Sequence, residues 1–141
     1  MPAAASPDRI VDAVAALPLE PGMRVLEIGC GPGVAARAVA ARITPGFVLA
    51  IDRSEAAVRQ ALRGSAAEIA AGVLEVRQSA IEDFVLAPGE ARFDLAFAMR
   101  DGALDGRHPA AGERALERLD KVMAGGKLYI DTGDPWDVIG F

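Results

Sequence analysis

The run Val25-Leu26-Glu27-Ile28 ends in Gly29-Cys30-Gly31-Pro32-Gly33 and passes at once into an alanine-rich stretch, Val34 to Arg42. No other segment restricts the fold as strongly. The short apolar run suits a buried strand, and glycines at alternate positions allow a tight turn through backbone angles closed to other residues. The alanine-rich stretch has helical composition, so the chain must turn sharply from strand to helix. Three missing Cβ atoms let a ligand approach the main chain at that turn. The helix start directs N–H groups and a positive dipole end to the same place, favouring a carboxylate or phosphate there.

The rest of the chain alternates in the same way. Ser6-Pro7 opens a first helix, with Ile10, Val14 and Leu17 at helical spacing until Pro18 and Pro21-Gly22 stop it. Pro45-Gly46 closes the alanine-rich helix, and Phe47–Ile51 reads as a second buried strand. Asp52-Arg53-Ser54 then leads into a helix carrying Val58, Leu62 and Ile69, weakened at Gly64 and ended by Gly72. Val73–Gln78 alternates apolar and charged residues, as a half-exposed strand near a sheet edge would. Phe93–Ala98 is a fourth strand, Pro109 to Met123 a helix, and Lys127–Asp131 a fifth strand. This order predicts parallel strands with right-handed crossovers, an α/β open sheet flanked by helices and formed by a single domain over residues 1–141. In such sheets ligands lie beyond the carboxyl ends of the strands, where strand order reverses. The glycine turn, the end of strand two and the loops after strands three and four are therefore expected to line one crevice.

Composition narrows the function classes. The 141 residues are 52% hydrophobic and 25% charged, enough for a core and too apolar for a disordered chain. A net charge of −5 disfavours a whole-surface grip on nucleic acid or anionic lipid. One cysteine, Cys30, excludes an intramolecular disulfide, and one histidine, His108, excludes a multi-histidine metal cluster; no metal is expected. No apolar run approaches the roughly 18 residues of a spanning helix. Met1–Asp8 lacks the basic and apolar parts of a secretory signal. A reduced, cytoplasmic setting is expected.

Asp52 ends strand two, nineteen positions beyond Gly33. A carboxylate there can accept hydrogen bonds from both hydroxyls of a ribose, so the glycine turn and Asp52 together point to an adenosine-containing cofactor. Dinucleotide binders follow G-x-G-x-x-G, which would place the third glycine at position 34; that position is Val34. Glu27 would also repel a pyrophosphate, whereas it suits a ligand with a cationic centre and an ammonium group. A nicotinamide-dependent oxidoreductase shares the logic of Asp52 and is opposed by Val34 and Glu27.

On these residues the sequence resembles the class I S-adenosylmethionine-dependent methyltransferases, whose sheet is Rossmann-like. Val25–Gly33 is similar to that family's first motif, an acidic residue followed by G-x-G-x-G, and Ala50-Ile51-Asp52-Arg53-Ser54 to its second. The resemblance implies S-adenosylmethionine as cofactor, its methionine part held by Glu27, Gly29, Cys30 and Gly31, with Asp52 on the ribose and Arg53 beside it. Gln78-Ser79-Ala80-Ile81-Glu82-Asp83 stands where the family's adenine-contacting loop lies, with Ser79 in place of the usual aspartate, so Ser79 and Ala80 are cofactor-binding candidates. Phe93–Ala98 resembles the fourth-strand motif, which adds Ala98, and Met123–Ile130 the turn into strand five. The likeness runs from about Ser6 to Asp131.

The family's sheet continues past strand five, whereas only Thr132–Phe141 follows here. The expected sheet is therefore shortened after strand five. Either Trp136–Phe141 turns back to cover that edge, or a homodimer, a partner chain or a missing segment does. Arg100, Asp101 and Asp105, after strand four, are both candidate acceptor contacts and ordinary loop polars. His108 before Pro109 is a helix-start residue or a general base, and Cys30 a small buried filler or a nucleophile. Tyr129 and Trp136 read as core or interface. The resemblance implies methyl transfer to a small-molecule acceptor. The competing expectations are a non-catalytic cofactor-binding partner subunit and the nicotinamide-dependent oxidoreductase. The sequence lacks the family's Asn/Asp-Pro-Pro-Tyr signature for planar amino groups, with Ala98-Met99-Arg100-Asp101 at the strand-four end.

Overall fold

A computed structural model describes residues 7–99, 104 and 106–141. Ser6, Arg100, Asp101 and Asp105, singled out above, lie outside the described residues. Helix α1 spans Pro7–Ala15, strand β1 Arg24–Ile28, α2 Val34–Ile43 and β2 Phe47–Asp52. Two short helices follow, α3 (Glu55–Gly64) and α4 (Ala66–Ala70), then β3 (Leu74–Gln78) and a 3-10 turn at Ile81–Asp83. Strand β4 (Phe93–Ala98), α5 (Pro109–Val122), β5 (Met123–Ile130) and β6 (Asp137–Gly140) complete the order.

The strands form one sheet in the order β3-β2-β1-β4-β5-β6. The first five are parallel, and β6 runs antiparallel to β5. Strand order reverses between β1 and β4, so the ends of β1, β2 and β4 open onto the switch point. Consecutive residues of the central strands are buried on opposite faces, as parallel strands covered on both sides require. Val25, Val48, Leu95 and Phe97 face α1 and α2. Leu26, Ile28, Leu49, Ile51 and Leu128 face α5 and the 3-10 turn. Strand β3 lies at one edge, in keeping with its alternating charged residues.

Most elements depart from the expected bounds by a residue or two, α1 already ending at Ala15 and β5 at Ile130, and three differences go further. The single helix after strand two is broken at Ser65, which caps α3 and starts α4. Strand β5 begins at Met123 rather than Lys127, because its first residues include an irregularity at Gly125-Gly126 where the register with β4 shifts. Gly125 has φ +68°, and a Cβ on Gly126 would collide with the Asp94 carbonyl oxygen, so both positions need glycine. The edge of strand five is not left for a partner chain. Residues 137–140 pair along it, from Lys127 opposite Gly140 to Ile130 opposite Asp137. Trp136 anchors this return: its indole N–H donates to the Ala13 carbonyl of α1 at 2.9 Å and its ring meets Phe97 edge-on at 6.1 Å.

Candidate functional site

The turn after β1 is held to the end of β2 by main-chain bonds. The N–H groups of Gly29 and Cys30 both donate to the Ile51 carbonyl, at 2.9 and 3.0 Å. Gly31 donates to Asp52 Oδ2 at 2.9 Å, and Ser54 N–H donates to Asp52 Oδ1 at 2.8 Å. The glycine bend and the strand-two carboxylate, adjacent only through folding, are thus bonded to each other beyond the carboxyl ends of β1 and β2. Each Asp52 oxygen has accepted one N–H and keeps lone-pair capacity for another donor. Gly31 has φ +52°, and a Cβ there would meet nothing within 4 Å, so the bend presents an open surface. Because the Gly29 and Cys30 N–H groups are spent on Ile51, these residues offer a ligand close main-chain approach rather than donors.

Glu27 lies beneath this bend and is 2% exposed. Its Oε1 is buried without a hydrogen-bond partner. Burial, reinforced by the nearby Asp52 carboxylate, holds its carboxyl well above the ordinary range. A backbone hydrogen bond from Ala36 and the Arg37 guanidinium oppose that shift without cancelling it. Burial also pushes the Cys30 thiol up, with Glu27 and Asp52 adding to it. A buried thiol held in its neutral form favours reading Cys30 as buried filler over a nucleophile.

Arg37 is a residue that the sequence did not single out. Its Nη1 donates to the Pro32 carbonyl at 3.0 Å and to Ser65 Oγ at 2.9 Å. The guanidinium occupies space that side chains at Gly33 and Gly64 would fill, since a Cβ on either would stand 2.9 or 2.8 Å from Nη1. Gly33, with φ +91°, is the residue before α2. The third glycine therefore serves the clamp between bend and α3, and Val34 begins α2 where a dinucleotide motif would need glycine. The available signal was an arginine four residues after Gly33 in an otherwise alanine-rich helix.

The other expected residues divide. Arg53 is exposed and pairs with Glu82 at 3.2 Å, joining the end of β2 to the 3-10 turn after β3. The Ser79 N–H donates to the Asp52 carbonyl at 3.0 Å, and its hydroxyl donates to the Ala80 carbonyl at 2.8 Å. Ser79 is thus bonded to the end of β2 at Asp52, with Ala80 next to it along the chain. Ala98 is fully buried at the end of β4, its carbonyl accepting from Asp131 N–H. His108 is exposed at the start of α5, where its carbonyl accepts from Gly112 N–H. Beyond the carboxyl ends of β4 and β5, a cavity of about 430 Å³ opens between α1 and the turn before β6, with Arg9, Asp12, Met99, Asp131 and Asp134 in its walls. Among the described residues no group of three or more histidine, cysteine, aspartate or glutamate side chains could hold a metal ion. Among those residues, too, no helix is long and apolar enough to cross a membrane.

Among solved structures the chain is similar to the [4+2]-cyclase SpnF, at 26% identity and a TM-score of 0.71 over 87% of this chain and 43% of that one. It is similar to the CcbJ methyltransferase of Streptomyces caelestis, at 20% identity and 0.70 over 92% and 55%. It is similar also to phosphoethanolamine N-methyltransferase 1 of Haemonchus contortus, solved with phosphoethanolamine and S-adenosylhomocysteine, at 18% identity and 0.70 over 89% and 26%. The chain thus spans from about a quarter to just over half of these proteins' lengths. No curated protein matches it in sequence. The methyltransferase-domain family matches residues 19–136, from the approach to β1 through Trp136. The chain therefore belongs to the methyltransferase-domain family.

Proposed function

We propose that the chain, as one domain over residues 1–141, binds S-adenosylmethionine at the Gly29–Gly31 bend and transfers its methyl group to a small-molecule acceptor. The observation that carries this is the 2.9 Å bond from Gly31 N–H to Asp52 Oδ2, which sets a ribose-accepting carboxylate against an open main-chain bend. The residues suit that cofactor. Glu27 offers an unpartnered oxygen to an ammonium group, and Gly31 leaves free the space a side chain would take. When bound, the cofactor supplies a methyl group already activated on a sulfonium.

The protein's part is then binding and alignment. Asp52 accepts the ribose hydroxyls with the lone pairs left by Gly31 and Ser54. Ser79, its proton committed to Ala80, keeps lone pairs with which it can accept from the adenine amino group. Arg53, held by Glu82, borders the same side next to Ala80, while fully buried Ala98 lies behind the site and not on its surface. Cys30 contributes main chain only. Aligning acceptor, methyl carbon and sulfur supplies on the order of 7–11 kcal/mol when near ideal. A general base is needed only where the acceptor must lose a proton, a role for which His108 is the candidate, while Asp101 and Arg100 are candidates to contact the acceptor. The cavity beside α1 gives an acceptor room at the carboxyl ends of β4 and β5. The net charge of −5 and the single buried cysteine support a cytoplasmic chain without a nucleic-acid partner.

A second reading, cofactor binding without methyl transfer, draws support from the likeness to a protein named as a cyclase. It predicts S-adenosylhomocysteine binding with no methylated product from any acceptor. Calorimetric titration with S-adenosylhomocysteine and, separately, with NAD tests the shared step. Heat with S-adenosylhomocysteine alone is expected; heat with NAD alone overturns the proposal in favour of an oxidoreductase.

A further inference from the structure

We propose that Glu27 holds a proton while the crevice is empty and gives it up when a cationic ligand is seated, so that cofactor binding is linked to release of a proton. The inference rests on the cofactor reading above and extends it to how the site takes up charge. Glu27 is 2% exposed at the end of a central strand, and Oε1 has no partner. An ionised carboxylate in that position would lack the cation that buried charges require.

The groups that face it, taken element by element, leave it in that condition. From β2 comes Asp52, a second negative charge. From α2 come the Ala36 N–H and Arg37, whose guanidinium is already bonded to Pro32 and Ser65. From the bend comes Cys30, a protonated thiol that supplies no positive charge. From β4, Phe97 stands in register with Glu27 and carries no charge. Two carboxyl groups and one committed guanidinium thus meet around a side chain that is itself 2% exposed, and the raised proton affinity of Glu27 follows. An arriving ammonium supplies the missing cation. The Glu27 O–H bond then breaks, its proton passes to the buffer, and the carboxylate pairs with the ligand.

Affinity for S-adenosylhomocysteine should then rise with pH, by up to about tenfold per unit, until Glu27 is ionised without help. The test is calorimetric titration of the whole chain with S-adenosylhomocysteine near pH 6.5 in buffers of different ionisation enthalpy. The observed heat should vary linearly with that enthalpy, with a slope approaching one proton released per ligand, roughly, and Glu27→Gln should abolish the slope. A flat response in the unmutated protein, or an unchanged slope in Glu27→Gln, overturns the proposal while leaving the cofactor reading standing. Absence of heat in every buffer overturns the cofactor reading itself. Should Glu27→Gln fail to fold or bind, the infrared difference spectrum of the unmutated protein decides. A protonated-carboxyl band lost on adding S-adenosylhomocysteine is expected, and its persistence contradicts the proposal.

Discussion

Glu27 stores a cost of folding at the place where the protein is built to receive a ligand. In the unfolded chain a glutamate titrates near about 4.3. In the folded, ligand-free chain burial and Asp52 raise that value. A raised carboxyl contributes stability that is fully present below the unfolded value and is lost as pH rises through the folded one. Glu27→Gln removes the charge, so the ligand-free variant is expected to melt at a higher temperature than the unmutated protein at pH 7. The difference should close near pH 4. A lower melting temperature for the variant at pH 7 would show that Glu27 is paired in solution. That Glu27 and Asp52 belong to one site was legible in sequence, since both lie in local motifs at strand ends. The orphaned oxygen was not, because burial depends on α2 closing over β1, a tertiary event.

Among the elements, those punctuated by proline and glycine were read almost to the residue: Phe93–Ala98 coincides with β4, and α2 and β2 each run one residue further than expected. The departures combine local and long-range causes. The break at Ser65 falls beside Gly64, where the sequence already weakens the helix, and Arg37 reaches across from α2 to bond the Ser65 hydroxyl. Nothing in the local sequence reports that second contact. The early start of β5 depends on paired glycines, which carry weak strand preference but fit against Asp94 of the neighbouring strand. The clamp between the bend and α3 makes a prediction of its own. Gly33→Ala places a side chain at φ +91° and against the Arg37 guanidinium. The left-handed backbone alone should cost about 1–2 kcal/mol, read as a lower denaturation midpoint in urea. An unshifted midpoint would contradict both the left-handed backbone at Gly33 and its close contact with Arg37.

At the scale of the whole molecule, the β5 edge is covered by the chain's own return as β6. Half-buried Trp136 joins β6, α1 and the core through its bond to Ala13 and its contact with Phe97. Trp136→Ala should lower stability by about 2 kcal/mol or more, with β6 losing its amide-exchange protection first. Loss of stability without early exposure of β6 would place the anchor elsewhere. The same sheet sets the crevice at the β1–β4 reversal, where the bend and the β2 carboxylate converge. The dissociation constant of S-adenosylhomocysteine for Asp52→Ala, measured on protein whose circular dichroism matches the parent, tests that convergence most directly. Two ribose hydroxyls without their acceptor should weaken binding by ~1–3 kcal/mol, roughly 5- to 150-fold. An unchanged dissociation constant would remove Asp52 from the site and contradict the account.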